Sequence, residues 1–424
     1  MTTTVLPVRP AAAAAVAPTG ERRLLATAHL DAAARHAVLG PLPQVDLDAL
    51  VALLGDAGLT GRGGGGFPTV RKLAAVTEAR GRSAVVVNAL EGEPLSTKDA
   101  TLLALVPDLV LDGLEVLAHA LGARHRVVAA AEDLPAASIE AARAAIGRRT
   151  PDSRRPAVGG RSLRLEVLPG GFVAGQESAL VRALSGGPAV PVDPLVRVTE
   201  RGHRGHPTLV VNAETAAHVA LLVRFGAAWF RSVGLREDPG TFVATVSGSR
   251  PSLVARPGVA EHARGARLHD VLEGAGTDLT RVRAVLVGGF HGAWVPVDAL
   301  EVRLTREDLA PFGAAVGAGI VHALDLDDCP VAYAADVAEF LARASARQCG
   351  PCVNGLPALA RTLRTLADPG APRAVVADVD RLRRLVDGRG ACAHPDGTAR
   401  FVLSTMRVFA DHVDAHLEGR CDAR

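Results

Sequence analysis

From Gly61 to Lys72 the chain reads Gly-Arg-Gly-Gly-Gly-Gly-Phe-Pro-Thr-Val-Arg-Lys, with five glycines in the first six residues. With so few Cβ atoms, backbone N–H groups can come close to a phosphate or a flat ring. Pro68 and Thr69 predict a helix start immediately afterwards, so the loop would feed a positive helix end. Arg62 and Lys72 bracket it as point charges suited to an anion. On its own such a run also fits a flexible surface turn. Further strings add polar groups of the right kind. Ser83–Asn88 is a β-branched run ending in Asn, followed by a loop that carries Glu91 and Glu93. Pro169–Leu180 is a second glycine-rich turn running into a helix, with Gly175, Gln176 and Glu177 at its bend. Thr208–Thr215 repeats the first logic, an apolar strand that ends at Asn212 before an acid opens a helix.

Rarity adds weight to these positions. The chain holds only two lysines, Lys72 and Lys98, and three asparagines, Asn88, Asn212 and Asn354. A composition nearly emptied of Lys and Asn retains them where substitutes fail: four of the five lie in or beside these strings, and Asn354 lies just after Cys349-Gly-Pro-Cys352. Two strand ends with Asn, two glycine-rich turns and a lysine predict one crevice at the carboxyl edge of a parallel sheet.

The elements that must position these groups follow from periodicity. Leu47, Leu50, Val51, Leu53 and Leu54 have helical spacing, ending at Gly58. Strands are expected at 83–88, 126–131, 163–168 and 208–212, and helices at 99–122 and 135–147. Residues 241–304 read as a small α+β unit, with strands at Thr241–Ser247 and Val285–Gly289 and a short helix at Leu268–Leu272. From about 310 helical patterns dominate, with Cys349-Gly-Pro-Cys352 between them and Cys392 in Gly-Ala-Cys-Ala-His-Pro. The 424 residues, 48% hydrophobic, suffice for two to four domains with their own cores. A net charge of +2 argues against a nucleic-acid surface, and no apolar run approaches the ~18 residues of a membrane span. Residues 1–20, with Ala11–Ala15 between Pro10 and Pro18, read as a disordered tail. The five cysteines do not suggest disulfides, which fits a reducing cytoplasm. Cys329 reads as a core residue and Cys421 as a free thiol in a tail.

In this order, over roughly residues 50–418, the strings resemble the flavin-bearing, NADH-oxidising subunit of respiratory complex I and its relatives in NAD-linked hydrogenases and formate dehydrogenases. The family pattern has a G-R-G-G-A-G-F-P-T loop, an N-A-D-E-x-E-P-G loop, a Y-x-C-G-E-E-T-A-L turn, an N-N-V-E-T strand end and S-C-G-x-C-x-P-C with a distant fourth Cys. The resemblance implies an α/β chain with a Rossmann-like FMN domain over 21–240, a ubiquitin-like β-grasp domain over 241–305 and a helical iron–sulfur domain over 306–424. It implies that Gly61, Arg62, Gly63, Gly64 and Lys72 cradle the ribityl and phosphate of FMN. Asn88, Glu91, Phe172, Gly175, Gln176 and Val211 would lie at the flavin, and Asn212 and Thr215 at its phosphate end. Phe67, Glu93 and Glu177 match positions on the nicotinamide-nucleotide side, although helix-start capping also accounts for the two acids. Cys349, Cys352 and Cys392 match cluster ligands.

The chain departs from the pattern at several points. Leu90 stands for Asp, Phe172 for Tyr, Gln176 for the first of two Glu, and Val211 for the first Asn of a pair. Each swap removes a hydrogen bond worth ~0.5–1.5 kcal/mol. The family's K-P-P-F-P segment falls near Pro194–Val198, where Arg197 is the available phosphate contact. Ala346 replaces the first cluster Cys. Three thiolates can hold a [3Fe–4S] cluster, or a [4Fe–4S] cluster with one non-Cys ligand. A zinc ion, or cysteines packed as small apolar groups, are the competing readings. The function implied is electron transfer from a nicotinamide cofactor through FMN and a cluster to a ferredoxin-like or other redox subunit. A non-catalytic docking paralogue and a ferredoxin-to-flavin acceptor are the alternatives.

Overall fold

The computed structural model describes residues 22–79, 81–149, 162–192, 196–421 and 423. The tail expected at 1–20, and Pro194 and Leu195 of the altered nucleotide segment, lie outside the described residues.

Four parallel strands form the first sheet: β1 (Ala84–Ala89), β2 (His125–Ala131), β3 (Ser162–Leu168) and β4 (Thr208–Asn212), in the order β3-β2-β1-β4. The chain winds outward from β1 to β3 and then returns to the other side of β1. The order therefore reverses between β1 and β4, where an open α/β sheet leaves a crevice at its carboxyl edge. Asn88 pairs in register with Asn212, so the two strands bring their asparagines side by side at that point. Val85, Val86, Val87, Leu209 and Val210 are buried, as expected for strands covered on both faces.

One correction concerns the helix expected over 99–122. It is two helices, Lys98–Leu105 and Pro107–Ala120. Pro107 lacks an N–H and clashes with a preceding helical turn, and Val106 leaves helical geometry at φ −134°, ψ 44°. The second helix packs so closely on Ala213–Arg231 that a Cβ on Gly113 would lie 1.8 Å from the Ala216 carbonyl oxygen.

The second sheet contains β5 (Thr241–Gly248), β6 (Gly258–Ala263), β7 (Val282–Val287), β8 (Ala293–Pro296) and β9 (Ile320–Asp325), in the order β6-β5-β9-β7-β8. The pairing is antiparallel except for the central β5–β9 pair. The sheet extends across the boundary expected at 305–306. The central strand of this sheet arrives only at 320, after the short helix Arg306–Leu309, and the unit runs to 325. Helical structure dominates after that, in Pro330–Arg343, Leu356–Ala367, Ala374–Val386, His394–Val408 and Ala410–Leu417. Their apolar faces share a core with β8 and β9, where Trp294 packs edge-on against Tyr333 and Phe409.

Candidate functional site

A cleft of about 1240 Å³ opens over the carboxyl edge of β1 and β4. Gly61, Gly63 and Gly64 form one wall. Their loop is not a loose turn: Gly61 N–H donates to the Phe67 carbonyl at 2.8 Å, and Thr60 bridges to Pro68. Gly64 (φ 106°) and Gly66 (φ 59°) adopt backbone that side chains disfavour. The loop delivers the helix Thr69–Thr77, and Phe67 stands half-exposed at the mouth.

The structure separates the two cations that bracket this loop. The Lys72 ammonium reaches the cleft, donates to the Val210 carbonyl at 2.8 Å and pairs with Glu177. The Arg62 guanidinium does not line the cleft. It is buried beneath the loop, donates to Thr60 Oγ1 at 2.8 Å and borders an adjacent cavity with Glu214, Asp238 and Arg264. Burial and Arg264 pull its pKa down to about 10 against the two carboxylates. Only its backbone serves the site, its N–H donating to Thr215 Oγ1 at 2.9 Å. A side chain flanked by glycines has a choice of two faces, and here the hydrogen bond to Thr60 holds it on the buried one.

The second turn meets the end of β1. Asn88 Nδ2 donates to the Gly175 carbonyl at 2.7 Å, while its Oδ1 accepts from Leu90 N–H at 3.0 Å. A Cβ on Gly175 would lie 2.7 Å from the Leu90 carbonyl oxygen, so the contact needs glycine. Gln176 and Val211 line the cleft, and Gln176 precedes the helix Glu177–Leu184. Glu91 is buried, accepting from Asp99 and Ala100 N–H groups and Ser96 Oγ. Its carboxylate caps the helix Lys98–Leu105 even as the residue lines the cleft. Glu93 accepts from Phe290 N–H at 2.9 Å and ties the first sheet's loop to the second sheet. Gly288, Gly317 and Ala318 from that sheet's loops close the opposite wall.

Two residues that sequence reasoning did not assign to the site, Lys98 and Asp99, lie at its floor. Lys98, 1% exposed, donates to Asp99 Oδ1 and Asn212 Oδ1 at 2.9 Å each and sits 3.3 Å from Glu214 Oε2. Asn212 Nδ2 returns to Asp99 Oδ2 at 2.9 Å and to the Asn88 carbonyl at 3.3 Å. Burial opposes the Lys98 charge, but Asp99 and Glu214 outweigh it and hold its pKa above the usual lysine value. Burial, with Glu91 adding to it, pushes Asp99 up to about 6 against the pull of Lys98. The rarity of lysine was the available signal, and it pointed at Lys98 without saying what it touched.

At the far end, the loop after Pro330–Arg343 and the start of His394–Val408 bring the motif cysteines together. Burial opposes ionisation of Cys349, but N–H groups of Ala391 and Cys352 and the Cys352 thiol overcome it and lower its pKa. Burial, then Cys349 and Cys392, push Cys352 up to about 12. Of the three, Cys392 also lines the cleft, so the cysteine group meets the cavity of the glycine loop at that residue. Phe172 fills the junction, edge-on to His291 at 4.7 Å and to His394 at 5.5 Å.

Comparison with known proteins agrees with this arrangement. Residues 54–221 match the family model of the Nuo51 FMN-binding domain, and residues 332–416 that of the NADH-ubiquinone oxidoreductase-F iron-sulfur binding region. The F 2 polypeptide of the NADH-quinone oxidoreductase of Rhizobium meliloti strain 1021 is 30% identical over 392 residues, covering 88% of this chain and 90% of the relative. The HndC polypeptide of the NADP-reducing hydrogenase of Solidesulfovibrio fructosivorans is 29% identical, covering 88% of this chain and 76% of that protein. Among solved structures, an NAD+-reducing [NiFe]-hydrogenase in the H2-reduced state superposes with a TM-score of 0.82 at 31% identity, covering 95% of this chain and 67% of the other. Among the described residues no helix is long and apolar enough to cross a membrane.

Proposed function

Because this chain belongs to the family of NADH-quinone oxidoreductase F polypeptides, we propose that it takes electrons from a nicotinamide nucleotide and passes them, through FMN and an iron–sulfur cluster, to a redox partner. The observation that carries this reading is the shared cavity: Gly61–Gly66 at one end and Cys392 at the other line a single cleft. A two-electron donor site and a one-electron exit are thereby neighbours.

The residues fit FMN. The glycine wall leaves open space, since a Cβ on Gly65 would meet nothing within 4 Å, while at Gly63 close packing on Asn212 Cβ at 3.3 Å holds the loop against the strand end. When bound, the flavin accepts electrons in pairs and releases them singly. Gly61, Gly63, Gly64 and Lys72 hold the ribityl and phosphate. Asn212 and Thr215 orient the phosphate end, and Asn88, Gly175 and Gln176 set the ring plane. Arg62 acts from below, its backbone fixing Thr215 and its charge balancing Glu214. Phe67, Glu93, Glu177 and Arg197 form the nucleotide side at the mouth. Because Lys72 pairs with Glu177, nucleotide and flavin binding are coupled through that ion pair.

Cys349, Cys352 and Cys392 fit a cluster held by three thiolates, with Ala346 unable to supply a fourth. N–H groups directed at Cys349 favour its thiolate, as ligation requires. Residues 241–325 are a β-grasp unit in this reading, supported by the order β6-β5-β9-β7-β8, the central parallel pair and the helix Leu268–Gly274. The missing thiol at Ala346 and the apolar Leu90 favour a second reading, a docking subunit without turnover. Iron and acid-labile sulfide assays on anaerobically purified protein separate the two. A stoichiometric cluster supports electron transfer, and none supports docking.

A further inference from the structure

Away from the cleft, three ligand-type side chains converge where the chain returns to the start of the helical region. Ligand atoms of Cys329, His416 and Cys421 all lie within 4.8 Å of one another. We propose that these three residues bind one zinc ion, separate from the cluster motif. The helix Pro330–Arg343, about 20 Å long at 1.5 Å per residue, lies between Cys329 and the loop that carries Cys349. Cys329 and Cys421 also fall outside the matched iron–sulfur region, which spans 332–416.

The geometry is that of a prepared site. His416 is 1% exposed and its Nδ1 faces the Leu366 carbonyl at 3.2 Å. A carbonyl only accepts, so the proton sits on Nδ1 and the Nε2 lone pair points at Cys329 Sγ, 3.3 Å away. A backbone carbonyl that fixes the tautomer in this way is the usual support of a metal-binding histidine. Cys329 caps the helix Pro330–Arg343, where its sulfur accepts from Ala332 N–H at 3.4 Å, so the sulfur is held in place facing His416. Beyond Leu417, Gly419 (φ 79°) turns the chain back, and Arg420 N–H closes on the Ala415 carbonyl at 2.8 Å. Cys421 is thereby laid over the other two.

Tetrahedral zinc with Zn–S and Zn–N bonds of about 2.3 and 2.0 Å sets its ligands roughly 3.5–3.8 Å apart. Cys329 and His416 already approach that spacing, and the exposed Cys421 side chain supplies the adjustment. Zinc would displace one proton from each thiol, giving a neutral site, and water would take the fourth position. Nothing in the sequence announces it, because Cys329 and Cys421 are 92 residues apart and sit in no spacing motif.

The test uses the full chain, purified reduced and anaerobic, stripped with a chelator and titrated with ZnCl2 and separately with CoCl2. Wild type and the Cys392→Ser variant should each bind one equivalent at this site, with thiolate-to-cobalt absorption. Cys421→Ser, a change in an exposed residue, and Cys329→Ser should weaken binding by more than about 100-fold, beyond what loss of a supporting partner costs. Binding unchanged in Cys421→Ser, or absorption lost in Cys392→Ser instead, overturns the proposal. So does an intact mass showing a Cys329–Cys421 disulfide in the reduced preparation.

Discussion

The charge network beneath the cleft makes the sharpest prediction. Replacing Lys98 by Met keeps most of the side-chain volume but removes an ammonium whose donors go to Asp99, Asn212 and Glu214. The Lys98 and Glu214 side chains are each 2% exposed and that of Asp99 is 7%, so water cannot replace the lost partner. Breaking a buried ion pair on one side costs about 3–5 kcal/mol. Proton uptake limits the loss. The Asp99 pKa of about 6 still includes the pull of Lys98, so without it Asp99 neutralises at pH 7.5 for less than about 2 kcal/mol, at 1.36 kcal/mol per unit. Glu214, held below the usual glutamate value because Lys98, His218 and Arg62 together offset its burial, loses the first of those partners as well. A multidomain chain does not unfold in one step, so a local measurement is the right assay: hydrogen exchange at β1 and β4 amides. Lys98→Met should speed exchange there about 100- to 1000-fold at pH 7.5. Because the Asp99 pKa is raised, its charge is lost as pH falls through 6, and with it the need for Lys98. The mutant-to-wild-type ratio should therefore shrink at pH 5, and Glu214→Gln in the Lys98→Met background should recover part of the loss. A ratio below about tenfold at pH 7.5, or one that grows at pH 5, would refute the reasoning.

Gly175→Ala places a methyl 2.7 Å from the Leu90 carbonyl oxygen and forces the two loops apart. FMN affinity, followed by quenching of flavin fluorescence, should drop about tenfold or more, at 1.4 kcal/mol per decade. Burial depresses His262 to about 4 and His322 to about 3, below the free value near 6.5. The unfolded chain alone takes up these protons as pH falls below 6.5, so stability is full above that pH and declines toward 4. At pH 5 each histidine should cost about 2 kcal/mol, read as faster exchange in β6 and β9 than at pH 7.5 once intrinsic rates are removed. Cys392→Ser should cut iron and sulfide content, since it deletes one of only three matched thiolates.

The sequence conveyed a good part of this design, for reasons that are local. β1 and β4 are β-branched runs closed by Asn, and the glycine loops announce themselves by composition. What stayed hidden depends on long-range packing. Ile320–Asp325 looks like an isolated apolar run, and only its pairing with β5 and β7 makes it the central strand of the second sheet. Arg62 looks like an anion ligand in a glycine loop, but its guanidinium borders a separate cavity with Glu214, 152 residues on. Lys98 stood out by rarity, yet its partner Asn212 lies 114 residues away. Cys329 and Cys421 seemed unrelated for the same reason. Periodicity located elements, but it could not say which distant charges would share a buried site.

The central claim is that the glycine-lined cleft holds FMN within reach of a nicotinamide donor. The most direct measurement is the anaerobic absorption spectrum of the purified, FMN-loaded protein before and after NADH. Bleaching of the flavin band near 450 nm, a general property of reduced flavin, is the result expected. A chain that takes up no FMN, or whose bound flavin stays oxidised under excess NADH, would contradict it.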